Sequence, residues 1–285
     1  MVKLRRTNIL LLAAAAILAT ACSVSRLAYL NAPPLAVFYV GGYFEMTDAQ
    51  KSFFKDRLSH AIAWHRSKEL PEYRQAIEKV IEKSEGTIPV EDVRAIYAKA
   101  RIFYHRALEH LLPDAAEFVM QLDEEQLHQV EKKFAADNRK FVNESVKGDP
   151  EERRERLAKK YIDQFEEWTG RLGPEQRKIV SAAVARLPEV TEERLGDRRY
   201  RQLEALNLVR SKAPREKVIA ELKRLLIDTE TWRRPEYVKK MRERDERMFE
   251  AVSELTSTLT PDQRASLQRK MRGYVKDISS ITASN

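Results

Sequence analysis

The sequence predicts an all-α protein, an antiparallel array of about eight to ten helices, on three observations. Apolar residues recur at helical spacing over most of the chain, strict strand-type alternation is sustained nowhere, and Pro and Gly punctuate the intervals between periodic stretches. Composition agrees: 43% apolar with 34% charged and only 8 Gly describes helices with a real core and a charged exterior, and argues against disorder. The formal charge of +8 invites a nucleic-acid reading. Acids interleave with bases throughout, however, as in Glu151-Glu152-Arg153-Arg154-Glu155-Arg156, which reads as a solvated helix face.

The first element is an export signal over residues 1–21. Lys3, Arg5 and Arg6 form a charged n-region, Ile9 to Ala21 is apolar, and Ala21 places a small residue before Cys22. That run is shorter than the roughly 20 residues needed to span a bilayer. The pattern predicts a lipoprotein whose Cys22 carries diacylglycerol on its thiol and an acyl chain on its amine, with no other cofactor. Ala19-Thr20-Ala21 also fits ordinary signal peptidase, which would release a soluble chain beginning at the same residue. Cys22 is the only cysteine, and acylation would cap a thiol otherwise awkward in an oxidising compartment. Ser23, where Asp would favour inner-membrane retention, predicts the periplasmic face of the outer membrane. Removing 21 of 285 residues leaves 264, and losing Lys3, Arg5 and Arg6 takes the charge from +8 to +5.

Residues 22–45 form a second element, crowded with Leu27, Tyr29, Leu30, Leu35, Val37, Phe38, Tyr39, Val40, Tyr43 and Phe44 and broken by Pro33-Pro34 and Gly41-Gly42. It is expected to pack on the helical body, with the membrane interface as the other place it would suit.

Residues 46–285 form the body, open to division into two subdomains near 148–150. One stripe holds Phe54, Leu58, Ala61, Ile62 and His65; a longer one runs from Val93 through Ile96, Tyr97, Ala100, Phe103, Tyr104, Ala107 and Leu108 to Leu111. The period returns at Leu157, Tyr161, Phe165, Trp168 and Leu172, then at Val218, Leu222 and Leu225. It continues through Tyr237, Met241, Met248, Val252 and Leu255 and closes with Leu267, Met271, Tyr274 and Ile278. Breaks are expected near Leu70-Pro71, Gly86 to Pro89, Gly148-Asp149-Pro150, Gly173-Pro174, Pro188, Pro214 and Pro261.

Four segments repeat one helix-start arrangement: Met46 to Gln50, Leu122 to Gln126, Leu172 to Gln176 and Leu259 to Gln263. Each offers a hydrophobic residue, an N-cap, acids in the first turn and Gln at N3, the grammar of a capping box. Gly173 weakens the third, having no side-chain acceptor. Leu259-Thr260-Pro261-Asp262-Gln263 resembles the LTxxQ motif of Spy/CpxP-type periplasmic proteins, which implies an ATP-independent chaperone or envelope-stress protein. A closer resemblance covers nearly the whole mature chain. The order Cys22, Tyr29-x-Asn31-Ala32-Pro33, Gln50, Trp64-His65-Arg66, Glu69-Leu70-Pro71-x-Tyr73, Asn138-Arg139-x-Phe141, Pro150-Glu151-Glu152-Arg153-Arg154 and Trp168 resembles an uncharacterised family of proteobacterial helical lipoproteins. That resemblance implies an exported helical lipoprotein and brings no reaction.

No catalytic signature is present: no G-x-S-x-G, S-x-x-K, P-loop or G-x-G-x-x-G, and no H-E-x-x-H. His105 and Glu109 stand at i,i+4, but His110 lies about 100° round the helix from Glu109, so no metal site is expected. The candidate binding site is Trp64, His65, Arg66, Glu69 and Tyr73, which gathers an aromatic, an imidazole, both charges and a proline within ten residues. The bland alternative is a packed helix corner in which Arg66 and Glu69 pair. The expectation is a non-enzymatic, membrane-anchored binding protein whose partner is an envelope protein or an unfolded chain, with no nucleic acid. The further alternative is an anionic glycan or lipid held by Arg198, Arg199 and Arg201.

Overall fold

The structure, a computed structural model, describes residues 26–283. The expected export signal, residues 1–21, and Cys22 lie outside the described residues. Among the described residues, a helical turn at 26–30 is followed by eleven α-helices, and no strand occurs. They are α1 (Ala32–Gly41), α2 (Asp48–Trp64), α3 (Leu70–Lys83), α4 (Val90–Val119), α5 (Glu124–Phe141), α6 (Pro150–Thr169), α7 (Pro174–Ala185), α8 (Thr191–Arg210), α9 (Arg215–Leu226), α10 (Pro235–Ser257) and α11 (Pro261–Ala283). None of the described helices is long and apolar enough to cross a membrane.

Most of the expected punctuation holds for local reasons. Pro sits in the first turn of α6, α7 and α10, where its missing N–H costs nothing. Thr47, Asp123 and Asp149 accept first-turn amides as N-caps, each stabilising its helix by about 1 kcal/mol. Gly173 supplies no acceptor, so its box is half made: Gln176 still takes the Gly173 amide at 2.8 Å.

The break expected at Leu70-Pro71 is the main departure. The helical path does not stop there; a π turn, His65–Glu69, carries α2 into α3, closed by the Leu70 amide on the His65 carbonyl. A proline in a plain α-helix clashes with the carbonyl four residues back, and one widened turn removes that conflict without ending the helix. A second π turn, Val142–Val146, ends α5. Helix α4 likewise runs through Pro113.

The core is a chain of small clusters rather than one mass. Helix α3 runs antiparallel to α11: Leu70 packs with Ile278 and Ile281 at one end, and Arg264 donates to the Ser84 carbonyl at the other. Thus helices from before and after residues 148–150 pack together. Helix α4 is about 45 Å long and meets different neighbours along its length. Val93 joins Phe249 of α10, Ala116 joins Leu208 and Val218, and Phe118 joins Phe44 and Leu127. Its buried face therefore turns, and Tyr104 and Leu111 of the expected stripe are exposed.

The four box glutamines meet in pairs. Gln50 and Gln126 exchange amide hydrogen bonds, and so do Gln176 and Gln263. Each Nε2 also donates to the backbone carbonyl two residues before its partner's N-cap: Gln121, Glu45, Thr258 and Arg171 respectively accept from Gln50, Gln126, Gln176 and Gln263. Each Oε1 accepts its own N-cap amide as well. All four amides thus use two donors and two acceptors, the complete capacity of the group.

Candidate functional site

The π turn lets two helices present side chains to α4 at one level. Phe103, Arg106 and His110 lie at i, i+3 and i+7 and so share a face of α4. Trp64 stacks on His110, ring centroids 3.8 Å apart and planes at 10°. Tyr73 packs on Phe103 at 4.5 Å and meets His65 edge-on at 5.3 Å. The hydroxyl of Tyr29, just before α1, lies 3.1 Å from His65 Nδ1 and donates to the Ile62 carbonyl at 3.3 Å. The N-terminal segment is thereby tied to the body.

Charge organises the other half. Glu69 is only 2% exposed, and its carboxylate accepts from Arg106 Nη2 at 2.7 Å. The same guanidinium donates to both Glu72 oxygens at 3.1 and 3.2 Å, and Lys99 stands 3.6 Å from Glu72. The expected Arg66–Glu69 pair is therefore replaced by Glu69–Arg106, because the widened turn directs Glu69 into the packed interior against α4. Arg66 instead lies by the Tyr29 hydroxyl, where its charge opposes part of a rise in the phenol's pKa caused by burial. Burial holds the His65 pKa below its ordinary value, with Glu69 pulling the other way. Tyr73 is pushed up by burial and then by the Glu69 charge. The hydrogen bonds from Arg106 hold Glu72 below the usual carboxylate range.

The structure thus brings Trp64, His65, Arg66, Glu69 and Tyr73 into one cluster. Tyr29, Glu72, Phe103, Arg106 and His110 complete it and escaped the sequence reading; the only available signal was the α4 face carrying Phe103, Arg106 and His110. Chemically the cluster is a clamp, since its carboxylate, imidazole and indole face other groups of the protein. Glu109 pairs with Lys223 at 3.1 Å and His110 is committed to Trp64, so His105, Glu109 and His110 do not converge. No group of three metal-ligating side chains occurs among the described residues. The later Trp232 to Tyr237 segment makes its own contacts: Arg233 forks onto Asp197 at 2.8 and 2.9 Å, and Trp232 packs on Tyr200.

An open cleft of about 840 Å³ lies beside the end of α1. Phe38, Tyr39 and Tyr43 line it with Lys51, Lys133 and Arg198. Tyr43 donates to Asp137 at 3.2 Å, and its pKa is pushed up to about 12 by hydrogen bonding with Tyr39, by burial and by the Asp137 charge. Arg198 reaches Asn138 at 2.8 Å, whereas Arg201 turns to Asp197 at 3.5 Å.

A family model covers residues 42–239, which takes in the π turn, the α4 face and three of the four helix-start boxes. The chain belongs to DUF6279, a family of unknown function. No curated protein and no solved structure matches the chain. The DUF6279 match begins after Tyr29 and ends before Gln263, so one member of the clamp and one of the second glutamine pair lie beyond it. The LTxxQ likeness is accounted for by helix starts whose glutamines bind each other.

Proposed function

We propose that this DUF6279 chain is a lipid-anchored envelope protein, held at the periplasmic face of the outer membrane, that binds a partner and catalyses nothing. The observation that carries the reading is the run from Lys3 to Cys22, a charged start, an apolar stretch and a small residue before the only cysteine. Cys22 would carry diacylglycerol on its sulfur and an acyl chain on its nitrogen. The clamp supports the non-catalytic half, because Glu69 and His65 are spent on Arg106 and Tyr29 rather than aimed into open space. The cleft is the place for a partner: its inner wall at Tyr43, Phe44 and Met46, with Lys51, Lys133 and Arg198 beside Glu45 and Asp137, suits an amphipathic segment of an envelope protein.

Radiolabelled palmitate enters the wild type and not Cys22→Ser; equal labelling of both overturns the anchor. A photo-crosslinking residue in place of Lys51 captures a defined protein in cells, and Lys133→Glu with Arg198→Glu abolishes the product; no product above background overturns the binding reading. A second reading, an anionic glycan or lipid headgroup in the same cleft, is favoured by Lys51, Lys133 and Arg198 outnumbering the acids Glu45 and Asp137 that line it with them. It predicts binding that falls steeply with salt.

A further inference from the structure

Helix α1 is apolar on both sides but covered on one. Residues 26–30 are helical, and the bonds Asn31 N–H to Leu27 and Leu35 N–H to Asn31 carry the helical path into α1, so one spacing applies from 26 to 41. Tyr29, Ala32, Pro33, Ala36, Val37 and Val40 form the half-buried stripe. Tyr29 packs against Leu70 and Ile278, and Val37 and Val40 against the Phe44 and Phe118 cluster. The opposite stripe is Leu27, Leu30, Asn31, Pro34, Leu35, Phe38 and Tyr39, all exposed; Phe38 is 84% and Tyr39 68% accessible. A helix apolar all round is normally enclosed on every side. This one leaves a contiguous apolar face in the open.

We propose that the outward face of α1, centred on Leu35 and Phe38, lies in the interfacial layer of the lipid bilayer, so that the body is seated on the membrane and not merely tethered to it. This rests on the anchor reading above. Three observations select lipid as the occupant. No Asp, Glu, Lys or Arg occurs from Leu27 to Phe44 in a chain that is 34% charged, and the lone outward amide, Asn31, donates to its own backbone at Leu27. Three residues separate Cys22 from Arg26, a reach of at most about 14 Å, so an acylated Cys22 holds the start of the helix that leads into α1 close to the bilayer. Finally, the cleft that Phe38 and Tyr39 line is bordered by Lys51, Lys133 and Arg198 together with Glu45 and Asp137, so the apolar face stops at a charged margin, as the apolar face of an interfacial helix does. Tyr39, amphipathic and at the rim, suits the headgroup level.

The test uses the full lipidated protein reconstituted in phosphatidylethanolamine and phosphatidylglycerol vesicles, with a nitroxide on Phe38→Cys or on Glu85→Cys. Glu85 lies at the far end of the α3–α11 pair from Tyr29, and acylated Cys22 takes no label. At position 38 collisions with oxygen exceed those with a polar nickel chelate several-fold, and at 85 they do not. Equal access of the chelate to both positions overturns the inference by placing the face in water; shielding at 38 from both agents with dipolar coupling between labels overturns it by assigning the face to a second copy. The mass of the N-terminal peptide is read separately. Acylated Cys22 with a water-exposed position 38 defeats the seating and keeps the anchor. Unacylated Cys22 defeats the anchor, and the seating is then decided by flotation of the Cys22→Ser chain with the same vesicles: binding that Leu35→Glu with Phe38→Glu abolishes sustains it, and absence of binding overturns it.

Discussion

Gln50 and Gln126 donate amide hydrogens to each other, at 3.0 Å one way and 2.7 Å the other, where the starts of α2 and α5 meet. Both residues are 5% exposed. Truncating one therefore strands the other: Gln50→Ala leaves a donor and an acceptor of Gln126 unpaired and frees the Thr47 amide and Gln121 carbonyl. Each buried orphan costs about 1–3 kcal/mol; the two on Gln126 are fully buried and those at Thr47 and Gln121 only partly, so a single truncation is expected to lose about 2–6 kcal/mol. The pair Gln50→Ala with Gln126→Ala loses less than the sum of the two alanine singles, with a coupling of about 1–3 kcal/mol. Urea unfolding of the four members of the cycle measures it; strict additivity removes the pair as a unit.

Glu69 and Arg106 make an unequal partnership, for Glu69 is enclosed while Arg106 keeps 35% of its side chain accessible. Removing the acid leaves a guanidinium that water can reach. Removing the base leaves a carboxylate sealed in the protein without its counter-charge. Arg106→Leu should cost about 3–4 kcal/mol and Glu69→Gln about half of that, since breaking a fully buried pair typically costs 3–5 kcal/mol and the exposed partner reduces it. Equal losses by thermal or urea unfolding would contradict this account of the clamp.

What the sequence disclosed and what it concealed follow the range of the forces involved. The helix starts at Thr47, Asp123 and Thr260 were legible because an N-cap and its N3 glutamine settle their bonds within four residues. That Gln50 would choose Gln126, 76 positions away, was not, since register between distant helices is a tertiary matter. Pro71 misled for a physical reason: a proline reports a conflict with the preceding turn, and the chain resolved it by widening that turn instead of stopping. The clamp was half visible in Trp64, His65, Glu69 and Tyr73; Arg106 was hidden because one arginine in a helix carries no local sign of what it will face. The apolar crowd after Cys22 was evident, but not its division into a face against Phe44 and Phe118 and a face left bare.

His65 makes stability depend on pH. Burial lowers its folded-state pKa below the unfolded value near 6.5, Glu69 partly opposing, and Tyr29, Arg66 and Tyr73 are the other groups around it. With the folded pKa depressed, the unfolded chain binds the proton first. The contribution is complete above about pH 6.5, falls as pH drops towards the folded pKa, and levels off below it. Wild type should accordingly lose more stability than His65→Phe between pH 7.5 and 5.5 in urea unfolding. Parallel losses in the two proteins would show that His65 is not the titrating group.

Gly170 ends α6 at φ +80° and ψ −174°, a conformation open to glycine and strained for any residue with a Cβ. The turn it makes delivers the Arg171 carbonyl to Gln263 Nε2 at 2.8 Å, so a backbone constraint at one residue supports the second glutamine pair. No atom lies within 4 Å of a Cβ built at Gly170, and the same is true at Gly86, which has no positive φ. Space is thus equal at the two sites and only the backbone differs. Gly170→Ala is expected to cost about 1–3 kcal/mol and Gly86→Ala close to nothing. If the turn and the amide act together, Gly170→Ala added to Gln263→Ala costs less than it does in the wild type, because the carbonyl it misplaces has already lost its donor; full additivity would show that the strain is local to the turn.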